Sequence, residues 1–306
     1  KKFDCIIVFA VSPISVAIPA IIISKFKRIP VFLWVLDLWP ETLSAVGFNS
    51  KALLRFVHQI VNFIYKRSSM IFVPTKGAAT KIKKDYNLSR KVMFFPGWAE
   101  ELFNENKVGD PVISLNNNFF NIVFTGALGE GRDFTSLIKV AVMCKDNENI
   151  KWHIVGDGRM KSWIQNKILE NDLEDTVYSH GKFDVSEMPA ILRNADALLI
   201  ALKDSPIFEI TIPGKFQTYC TAGKPIISLT KGEVNNIVDD INAGVTGNSN
   251  NLDEFATKIV NLSKMPIDVL EDMGKNASLF AKKEFNRDHL IDKFEDCLIQ
   301  HVVENK

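Results

Sequence analysis

The chain has 306 residues, of which 46% are apolar and 24% charged. This is the composition of a soluble globular protein long enough to bury the cores of two domains. No apolar run reaches the about 18 residues that a membrane-spanning helix needs, and we expect no amino-terminal targeting peptide. The four cysteines form no CxxC pair and have no histidine at ligand spacing, which argues against a zinc site or disulfide framework and predicts reduced thiols.

The net charge of +1 hides a strong asymmetry along the chain. Residues 1–98 carry 15 Lys and Arg against 4 Asp and Glu, a charge of +11, whereas residues 99–306 carry 22 against 32, a charge of −10. A basic part of this kind is attracted to anionic partners such as nucleic acid, acidic lipids or pyrophosphate groups. Nucleic-acid binding is the weakest of these, because the sequence shows no known motif and no interleaved surface aromatic residues.

Short β-branched runs alternate with helical patterns in the first part of the chain. The sequence predicts strands at CIIVFA, PVFLWVL and MIFVP, and helices at SVAIPAIIISK, at about residues 51–67 and at about residues 76–86. Strands that alternate with crossover helices form a parallel sheet covered on both faces. Because no glycine-rich first turn precedes these strands, we expect the first domain to lack an amino-terminal portion; a naturally small first domain is the alternative.

A boundary-like segment, WAEELFNENKVGDPVISLNNN, leads into a second series of the same kind. Its predicted strands are NIVFTG, KWHIVG, VYSHG, ALLIAL and PIISL, and its helices lie near residues 134–145, 160–171 and 186–194. We therefore predict an α/β fold with two Rossmann-like, doubly wound domains, residues 1–98 and 99–285, followed by an amphipathic helix in residues 286–306.

The helix predicted over residues 51–67 permits two interpretations. Its apolar residues follow helical spacing, Leu53, Phe56 and Phe63 broaden the apolar stripe, and basic residues crowd its ends. It is either a crossover helix packed on the sheet or, in addition, an interfacial helix that rests on an anionic membrane.

Glycine-containing turns follow several predicted strands, and open α/β sheets bind ligands at the carboxyl ends of their strands. In IVFTGALGEGRDF, the glycines Gly126, Gly129 and Gly131 let backbone amides approach an anion, and Arg132 adds charge. Their spacing does not match the G-x-G-x-x-G dinucleotide fingerprint. The aspartate in WHIVGDGRM either caps the next helix or contacts a ligand, and His180 in YSHGKF is interpreted as structural rather than as a general base.

The stretch IFEITIPGKFQTYCTAGKPII, residues 207–227, predicts a helix between two turns and then a buried strand. Pro213 and Gly214 open the helix, so its free backbone N–H groups and the positive end of its dipole lie at the sheet edge. This geometry favours phosphate, and Lys215 adds a full charge in the first turn. Gly223 ends the helix as its C-cap.

The order TGALGEGRDF, IVGDGRM, HGKF and IPGKFQTYCTAGKPII, preceded by DLWPETLSAVG and VPTKGAATKI, resembles the two-domain nucleotide-sugar glycosyltransferases of the GT-B fold, in the retaining family-4 branch. The DLWPE stretch resembles the subgroup that adds N-acetylated sugars such as N-acetylfucosamine in bacterial O-antigen or capsule synthesis. The resemblance covers nearly the whole chain, and its most specific parts are DLWPETL and PGKFQTYCTAGKPI.

The resemblance implies that the second domain binds the nucleotide-sugar donor. Gly126 and Gly129 would lie under the pyrophosphate, and Gly214 and Lys215 would lie beside it at the start of the helix. Arg132 would add a second positive charge.

The resemblance also implies positions for the base and the ribose. The backbone around Lys182 and Phe183 would face the base. Where the family usually has a glutamate for the ribose hydroxyls, this chain has Thr218, and the family's first acid falls on Ile210, with Glu209 one place off. A threonine binds a hydroxyl more weakly than a carboxylate does, so this departure puts donor affinity and nucleotide identity in question.

In the first domain, Asp37 and Glu41 of VLDLWPE follow a predicted strand and are expected to face the interdomain cleft. There they would bind acceptor hydroxyls or assist deprotonation; alternatively, they cap or begin the next helix. Because no DxD-like motif lies near a strand end, we expect no metal, and backbone amides, the helix dipole, Lys215 and Arg132 would stabilise the leaving pyrophosphate. The resemblance implies that the last segment, residues 286–306, crosses back toward the first domain and acts in hinge closure; alternatively, it is an ordinary terminal helix that packs on its own domain.

The resemblance thus implies a cytoplasmic enzyme, peripheral on the inner face of the bacterial plasma membrane. It would move a sugar from a UDP-sugar donor to a lipid-pyrophosphate-linked saccharide acceptor with retention of configuration, and the basic first domain suits an anionic membrane. Two alternatives stay open. One is a binding or scaffold subunit of a polysaccharide-assembly complex, which Thr218 favours; the other is a nucleotide-sugar epimerase of the same fold, against which the scattered histidines argue.

Overall fold

The computed structural model describes residues 2–45, 47, 48, 50–104 and 111–304, so residues 105–110 of the predicted boundary segment lie outside the described residues. The chain forms two compact units. The first comprises the chain up to Gly97 together with the stretch from Asn286, and the second is Trp98–Phe285. Within the described ranges, no helix is both long and apolar enough to cross a bilayer.

The described strands of the first unit form one parallel sheet in the order β1-β2-β3-β4. They are β1 (Ile6–Ala10), β2 (Val31–Val35), β3 (Met70–Val73) and β4 (Val92–Phe94). The accompanying helices are α1 (Ala17–Lys27), α2 (Glu41–Ala45), α3 (Lys51–Arg67), α4 (Lys76–Tyr86) and, from the end of the chain, α13 (Arg287–Glu304).

The strand order of the first unit determines where its helices lie. Right-handed crossovers between strands that follow one another in chain order place the connecting helices on one face of the sheet. In agreement, α1 packs beside α3 and α3 beside α4. The terminal helix α13 packs on the sheet through Phe294, whose ring centroid lies 4.7 Å from that of Phe72 and 5.3 Å from that of Phe95.

The described strands of the second unit form a parallel sheet in the order β10-β9-β8-β5-β6-β7. They are β5 (Phe120–Thr125), β6 (Ile150–Val155), β7 (Val177–Gly181), β8 (Ala197–Ala201), β9 (Ile226–Leu229) and β10 (Gly244–Gly247). Counted within this unit, the order is 3-2-1-4-5-6, that of doubly wound dinucleotide-binding sheets. The direction of winding reverses between β5 and β8, which makes that position the topological switch point.

Helices cover this second sheet. They are α5 (Phe134–Met143), α6 (Lys161–Glu170), α7 (Met188–Asn194), α8 (Pro206–Glu209), α9 (Gly214–Ala222), α10 (Glu233–Asp240), α11 (Leu252–Leu262) and α12 (Ile267–Glu284). Alternate residues of β5 enter two separate cores: Ile122 and Phe124 join one, and Val123 joins the other. The sheet is therefore buried on both faces, as parallel sheets require.

The predicted α/β fold with two parallel sheets is confirmed. The helices predicted over residues 51–67 and 76–86 are α3 and α4, and both have side-chain N-caps: Ser50 accepts from the N–H of Leu53, and Thr75 accepts from the N–H of Ala78. Of the two interpretations of the aspartate in WHIVGDGRM, the structure does not support the helix cap: Asp157 does not cap α6, and its carboxylate accepts from the adjacent N–H of Gly158.

Candidate functional site

The switch point of the second sheet brings together most of the residues that the sequence singled out. The loop after β5 begins at Gly126 and passes β8, where the N–H of Lys203 donates to the carbonyl oxygen of Gly131 at 3.1 Å. Helix α9 begins at the same edge, with Pro213 as N-cap residue and no side chain capping its first turn. A crevice of this kind, at the carboxyl ends of parallel strands, is where doubly wound sheets bind their ligands.

The glycine turns after β5 and β6 lie backbone to backbone. The N–H of Leu128 donates to the carbonyl oxygen of Asp157 at 2.9 Å. A Cβ on Gly156 would lie 1.9 Å from the carbonyl oxygen of Gly126, and one on Gly158 would lie 2.6 Å from that of Leu128. Gly156 and Gly158 are therefore needed for the close approach of the two turns.

Gly129 differs from these glycines because nothing lies within 4 Å of the position that its Cβ would take. Gly214, the first residue of α9, likewise faces open space. These two positions leave backbone accessible at the sheet edge, as an anion-binding turn and a helix N-terminus require.

Lys215 points from the first turn of α9 to the end of β5. Its Nζ donates to the carbonyl oxygen of Thr125 at 2.6 Å and lies 3.5 Å from the centroid of the Phe124 ring. It also lies 3.4 Å from the position that a Cβ on Gly126 would take. The structure therefore places Lys215 directly beside the glycine turn, although 90 residues separate Lys215 from Thr125 in the sequence.

Two positive charges meet at this point. Burial and the neighbouring Arg132 hold the pKa of Lys215 well below its usual value, and burial lowers the pKa of Arg132. Among the described residues, neither forms an ion pair with a carboxylate. A bound anion stabilises such a desolvated cation pair, because it offsets the repulsion between the two groups and favours the charged form of Lys215.

Tyr219, which sequence reasoning missed, completes the attachment of α9 to β5. Its buried hydroxyl accepts from the N–H of Thr125 at 2.9 Å and lies 3.2 Å from the hydroxyl of the same residue. Lys215 and Tyr219 are four residues apart and therefore share one face of the helix. Their spacing could have indicated that Lys215 and Tyr219 act together, but the sequence does not show which strand this face of α9 contacts. Thr218 between them is half-buried.

Lys182 and Phe183 follow β7, two strands from β5 at the same edge. The pairing of β6 with β7 shifts between Ile154 and Val155, which leaves His180 as an extra residue at a β-bulge. Lys182 is exposed, whereas Phe183 packs against the core that contains α7 and α9. Both residues therefore lie at the ligand-binding edge, but separated from the cation pair by the width of β6.

His180 belongs to a hydrogen-bonded network within the sheet. Its Nε2 lies 2.9 Å from Nδ1 of His153, and Nε2 of His153 lies 3.1 Å from Oδ1 of Asn121. Asn121 in turn donates to the carboxylate of Asp196. Burial, together with the nearby His180 and Lys151, lowers the pKa of His153 to about 3. The structural interpretation of His180 agrees with this arrangement.

The first unit places Asp37 and Glu41 in different surroundings. Asp37 follows β2 and accepts a hydrogen bond at 2.5 Å from the hydroxyl of Ser12, which follows β1. Glu41 begins α2 and forms an ion pair at 2.9 Å with Lys81 of α4, which also pairs with Asp85 at 2.7 Å. Asp37 therefore lies at the carboxyl edge of the first sheet, whereas Glu41 starts a helix and is held by α4.

A polar cavity of about 480 Å³ lies further along the edge of the second sheet, at the ends of β9 and β10. Its lining includes Glu209, the acid one place from the position that the resemblance assigns to a carboxylate, and the amide of Asn235. Asn235 donates to the carbonyl oxygens of Thr230 and Gly247, so its amide already bridges two loops.

Comparison with known proteins identifies this architecture. Residues 120–265 match the family model described as glycosyl transferases group 1. An uncharacterised glycosyltransferase of Methanocaldococcus jannaschii is 23% identical over 246 residues, which make up 80% of this chain and 64% of that protein.

Two solved structures superpose on most of the chain. Anabaena HepE in complex with UDP has a TM-score of 0.74 at 15% identity, covering 94% of this chain and 76% of HepE. A mutant of S. aureus TarM in complex with fondaparinux, α-GlcNAc-glycerol and UDP has a TM-score of 0.67 at 12% identity, covering 92% of this chain and 53% of TarM. The chain thus spans less than two thirds of the archaeal protein and of TarM. These likenesses show that the chain has the fold of GT-B glycosyltransferases, and its residues 120–265 match glycosyl transferases group 1.

Proposed function

We propose that the protein is a nucleotide-sugar-dependent glycosyltransferase whose donor binds at the switch point of the second sheet. The observation that carries the proposal is the pair Lys215 and Arg132, two half-buried cations with lowered pKa values and no carboxylate partner among the described residues. The diphosphate of a nucleotide-sugar supplies the negative charge that this position lacks. The uncapped start of α9 adds its N–H groups and the positive end of its dipole.

The donor is a UDP-sugar. HepE and TarM, which share the fold, hold UDP in their structures, and the TarM complex contains an N-acetylated sugar. We take UDP as the nucleotide and an N-acetylated hexose or deoxyhexose as the sugar. In this arrangement Gly126 and Gly129 lie under the pyrophosphate, Lys182 and Phe183 flank the base, and Thr218 faces the ribose.

The chemistry follows from where charge develops. Breaking the bond between the sugar and UDP places negative charge on the leaving diphosphate, and Lys215, Arg132 and the amides of α9 stabilise that charge in place. Because fixed cations and amides do this without reorganisation, we expect the transfer to need no metal. The resemblance to the retaining branch supports retention of configuration as the outcome.

The acceptor is a lipid-pyrophosphate-linked saccharide of bacterial surface polysaccharide synthesis, which places the enzyme at the cytoplasmic face of the membrane. Asp37 at the edge of the first sheet is the carboxylate that binds or deprotonates its hydroxyl, because it lies at a strand end and, among the residues that the structure describes, its one side-chain partner is the hydroxyl of Ser12. Glu41 begins α2 and its carboxylate is paired with Lys81, so we assign it a smaller part in acceptor binding than Asp37.

Calorimetric titration of UDP tests the donor site, with GDP and NAD as comparison ligands. UDP is expected to bind selectively, and Lys215→Met to weaken it by at least about tenfold, the loss of one charge-assisted hydrogen bond. Lys145→Met is the matched control, because Lys145 lies at the end of α5 and pairs with Asp172 on the surface. Equal loss in both variants, or no binding of UDP by the wild type, contradicts the proposal.

A second candidate is a binding subunit that holds a nucleotide-sugar without transferring it. Thr218 favours it, because the ribose position lacks a carboxylate. The two functions differ in turnover: transfer of radiolabelled sugar from a UDP-sugar to a lipid-linked acceptor supports the enzyme, whereas UDP-sugar binding without transfer to any acceptor supports the binding subunit.

A further inference from the structure

Helices α10 and α11 of the second unit line the polar cavity at the ends of β9 and β10, which we call the α10–α11 cavity. Asn236 and Asp239 of α10 line one part of it, and Glu254 and Lys258 of α11 line another, together with Thr246 of β10. Its volume of about 480 Å³ is within the range of about 300–1,000 Å³ that small-molecule sites have. Because these side chains are polar, the cavity suits a polar ligand.

The floor of the cavity is held in place by the side chain of Asn235. Its amide nitrogen donates to the carbonyl oxygens of Thr230 and Gly247 at 2.9 and 3.0 Å. Its Oδ1 accepts from the hydroxyls of Thr230 and Ser228 at 2.6 and 2.7 Å. One side chain of α10 thus ties the end of β9 to the end of β10. A cavity that is formed in advance costs a ligand little ordering on binding.

Helix α8 separates the cavity from the proposed donor site. On one side of α8, the ring of Phe208 lies 3.1 Å from the position that a Cβ on Gly131 would take. On the other side, the carbonyl oxygen of Glu209 lies 1.9 Å from the position of a Cβ on Gly232, and Glu209 and Gly232 both line the cavity. The residues that we assign to the diphosphate, all within the described ranges, do not line it. The cavity is therefore a separate place for a ligand.

The charges around the cavity limit the kind of ligand that it can bind. Lys258 pairs with Glu254 at 2.8 Å, and Lys231 pairs with Asp204. Because both lysines are already paired, they give little attraction for a phosphate or another anion. In the part of the chain that the structure describes, no group of three His, Cys, Asp or Glu side chains could hold a metal ion. These observations favour a neutral ligand.

Hydrogen-bonding capacity remains among the side chains that line the cavity. The carboxylate of Asp239 accepts from the hydroxyl of Thr246 at 2.9 Å, which uses one of its about four acceptor positions. Among the described residues, the side chains of Asn236 and Glu209 have no hydrogen-bond or ion-pair partner. An amide both donates and accepts, and a carboxylate accepts strongly. This combination matches the hydroxyl groups of a saccharide, which also donate and accept.

We propose that the α10–α11 cavity binds a neutral saccharide, with Asn236, Asp239 and Glu209 hydrogen-bonded to its hydroxyl groups. The inference goes beyond the proposed function, which assigns no ligand to this cavity. The donor occupies the switch point of the sheet, and a second saccharide lies on the other side of α8.

Saturation-transfer-difference NMR on the whole chain tests the proposal, with UDP present. The neutral probes are N-acetylglucosamine, its β-1,4-linked disaccharide and maltose, and the charged probes are spermidine and inorganic phosphate. Saturation transfer to at least one neutral saccharide is expected. Tighter binding of a disaccharide than of the single sugar identifies a saccharide chain as the ligand, and equal binding identifies one sugar unit; either result supports the site. Transfer to the charged probes alone, or to none, overturns the proposal.

Two variants locate the bound saccharide. Asn236→Trp fills the cavity and is expected to weaken saccharide binding by at least about tenfold. Asp239→Asn keeps an acceptor for the hydroxyl of Thr246 but removes the charge, and a loss of about fivefold is expected. The matched control is Asn166→Trp, at an exposed asparagine of α6 outside the cavity, which is expected to bind as the wild type does. Equal binding by Asn236→Trp and Asn166→Trp overturns the proposal.

UDP titration of the same samples separates this site from the donor site. Asn236→Trp and Asp239→Asn are expected to keep the wild-type affinity for UDP, and Lys215→Met is expected to keep the wild-type affinity for the saccharide. Loss of saccharide binding in Lys215→Met, with the two cavity variants unchanged, places the saccharide at the donor site and overturns the proposal. A chain that binds saccharide through Asn236 but binds no UDP supports the cavity and contradicts the donor site. Thermal unfolding shows that each variant is folded, and Asp239→Asn decides if Asn236→Trp is not.

Discussion

Lys215 donates to the carbonyl oxygen of Thr125 at 2.6 Å, and the hydroxyl oxygen of Tyr219, one turn later on α9, accepts a hydrogen bond from the N–H of the same threonine at 2.9 Å. Both backbone groups at the end of β5 are thus held by side chains of one helix. The start of α9 and the glycine turn that begins at Gly126 consequently form one rigid unit. A lysine held in this way is positioned before any ligand arrives.

The pH dependence of donor binding is expected to report on this lysine. With its pKa well below the usual value, Lys215 loses its proton at a lower pH than an ordinary lysine, and the affinity for UDP falls as the pH rises through the range in which that proton is lost. Bound diphosphate favours the charged form, so binding takes up a proton. Calorimetry in two buffers of different ionisation enthalpy measures this uptake directly.

Lys215→Arg is the control for that titration, because an arginine stays protonated over the whole range. Its UDP affinity is expected to stay level over the pH range in which that of the wild type falls, and binding is expected to show no proton uptake at this position. A wild-type affinity that stays equally level would contradict an anion-binding role for the Lys215 ammonium group.

Replacing either of two glycines at the same edge by alanine is expected to have very different effects on stability. Gly156→Ala places a Cβ 1.9 Å from the carbonyl oxygen of Gly126 at a φ of +153°, and we expect a loss of about 3 kcal/mol or more in unfolding free energy. Gly129→Ala meets open space, and we expect it to change stability by less than about 0.5 kcal/mol.

Donor binding completes this comparison. If the diphosphate lies on the backbone at Gly129, its alanine variant unfolds at the wild-type temperature but binds UDP at least about tenfold more weakly, since the added methyl group blocks close approach. Thermal unfolding and UDP titration on the same samples measure both effects. An unchanged UDP affinity would place the diphosphate elsewhere along the edge.

Thr218→Glu tests the ribose position. A carboxylate accepts hydrogen bonds from ribose hydroxyls more strongly than a threonine hydroxyl does, so we expect the variant to bind UDP up to about tenfold more tightly. Thr218→Gln, of similar size without charge, is the control and is expected to gain less. If 2′,3′-dideoxy-UDP gains as much as UDP does, residue 218 does not contact the ribose.

Local signals in the sequence predicted the elements of this fold, whereas the site depends on distant contacts. Capping residues such as Ser50 and Thr75 define where α3 and α4 begin, and Gly223 ends α9 in the left-handed conformation at a φ of +69°. All three act within one helical turn. The strand β10 and the helices α10, α11 and α12 were not predicted.

Long-range contacts explain what the sequence did not predict about the site. That Lys215 reaches Thr125, or that Glu41 pairs with Lys81, depends on which strand ends and helices become neighbours in space. The turn at Gly156 shows the same limit: the sequence places a glycine turn at a strand end, but it does not show that Gly156 and Gly158 are there to let the backbone of the turn after β5 approach. Spacing within one segment contains no information on such partners.

The buried histidine network is expected to make the fold sensitive to mild acid. In the unfolded chain a histidine has a pKa of about 6.5, whereas burial lowers the pKa of His153 to about 3. Between these values the unfolded state binds a proton that the folded state does not, so stability falls as the pH decreases through this window. From pH 6.5 to pH 5 the loss attributable to this group is about 2 kcal/mol.

The surroundings of His153 leave no favourable position for the proton. His180 hydrogen-bonds one ring nitrogen, Asn121 faces the other, Tyr178 stacks on the ring, and Lys151 lies on the same strand. The carboxylate of Asp196 is already occupied by the side-chain amide and the N–H of Asn121. A charged His153 would have to donate to Nε2 of His180, so His180 would have to keep that nitrogen unprotonated and carry its proton on Nδ1.

His153→Gln keeps the hydrogen-bonding capacity of this position but does not titrate. Thermal unfolding midpoints of the wild type and the variant, measured from pH 7 to pH 5, are expected to converge as the pH falls, because only the wild type loses the contribution of a neutral buried imidazole. His289→Gln, on the exposed surface of α13, is the control and is expected to follow the wild type. Parallel curves for wild type and His153→Gln would show that the network does not titrate in this range, and that the acid sensitivity of the fold comes from its carboxylates.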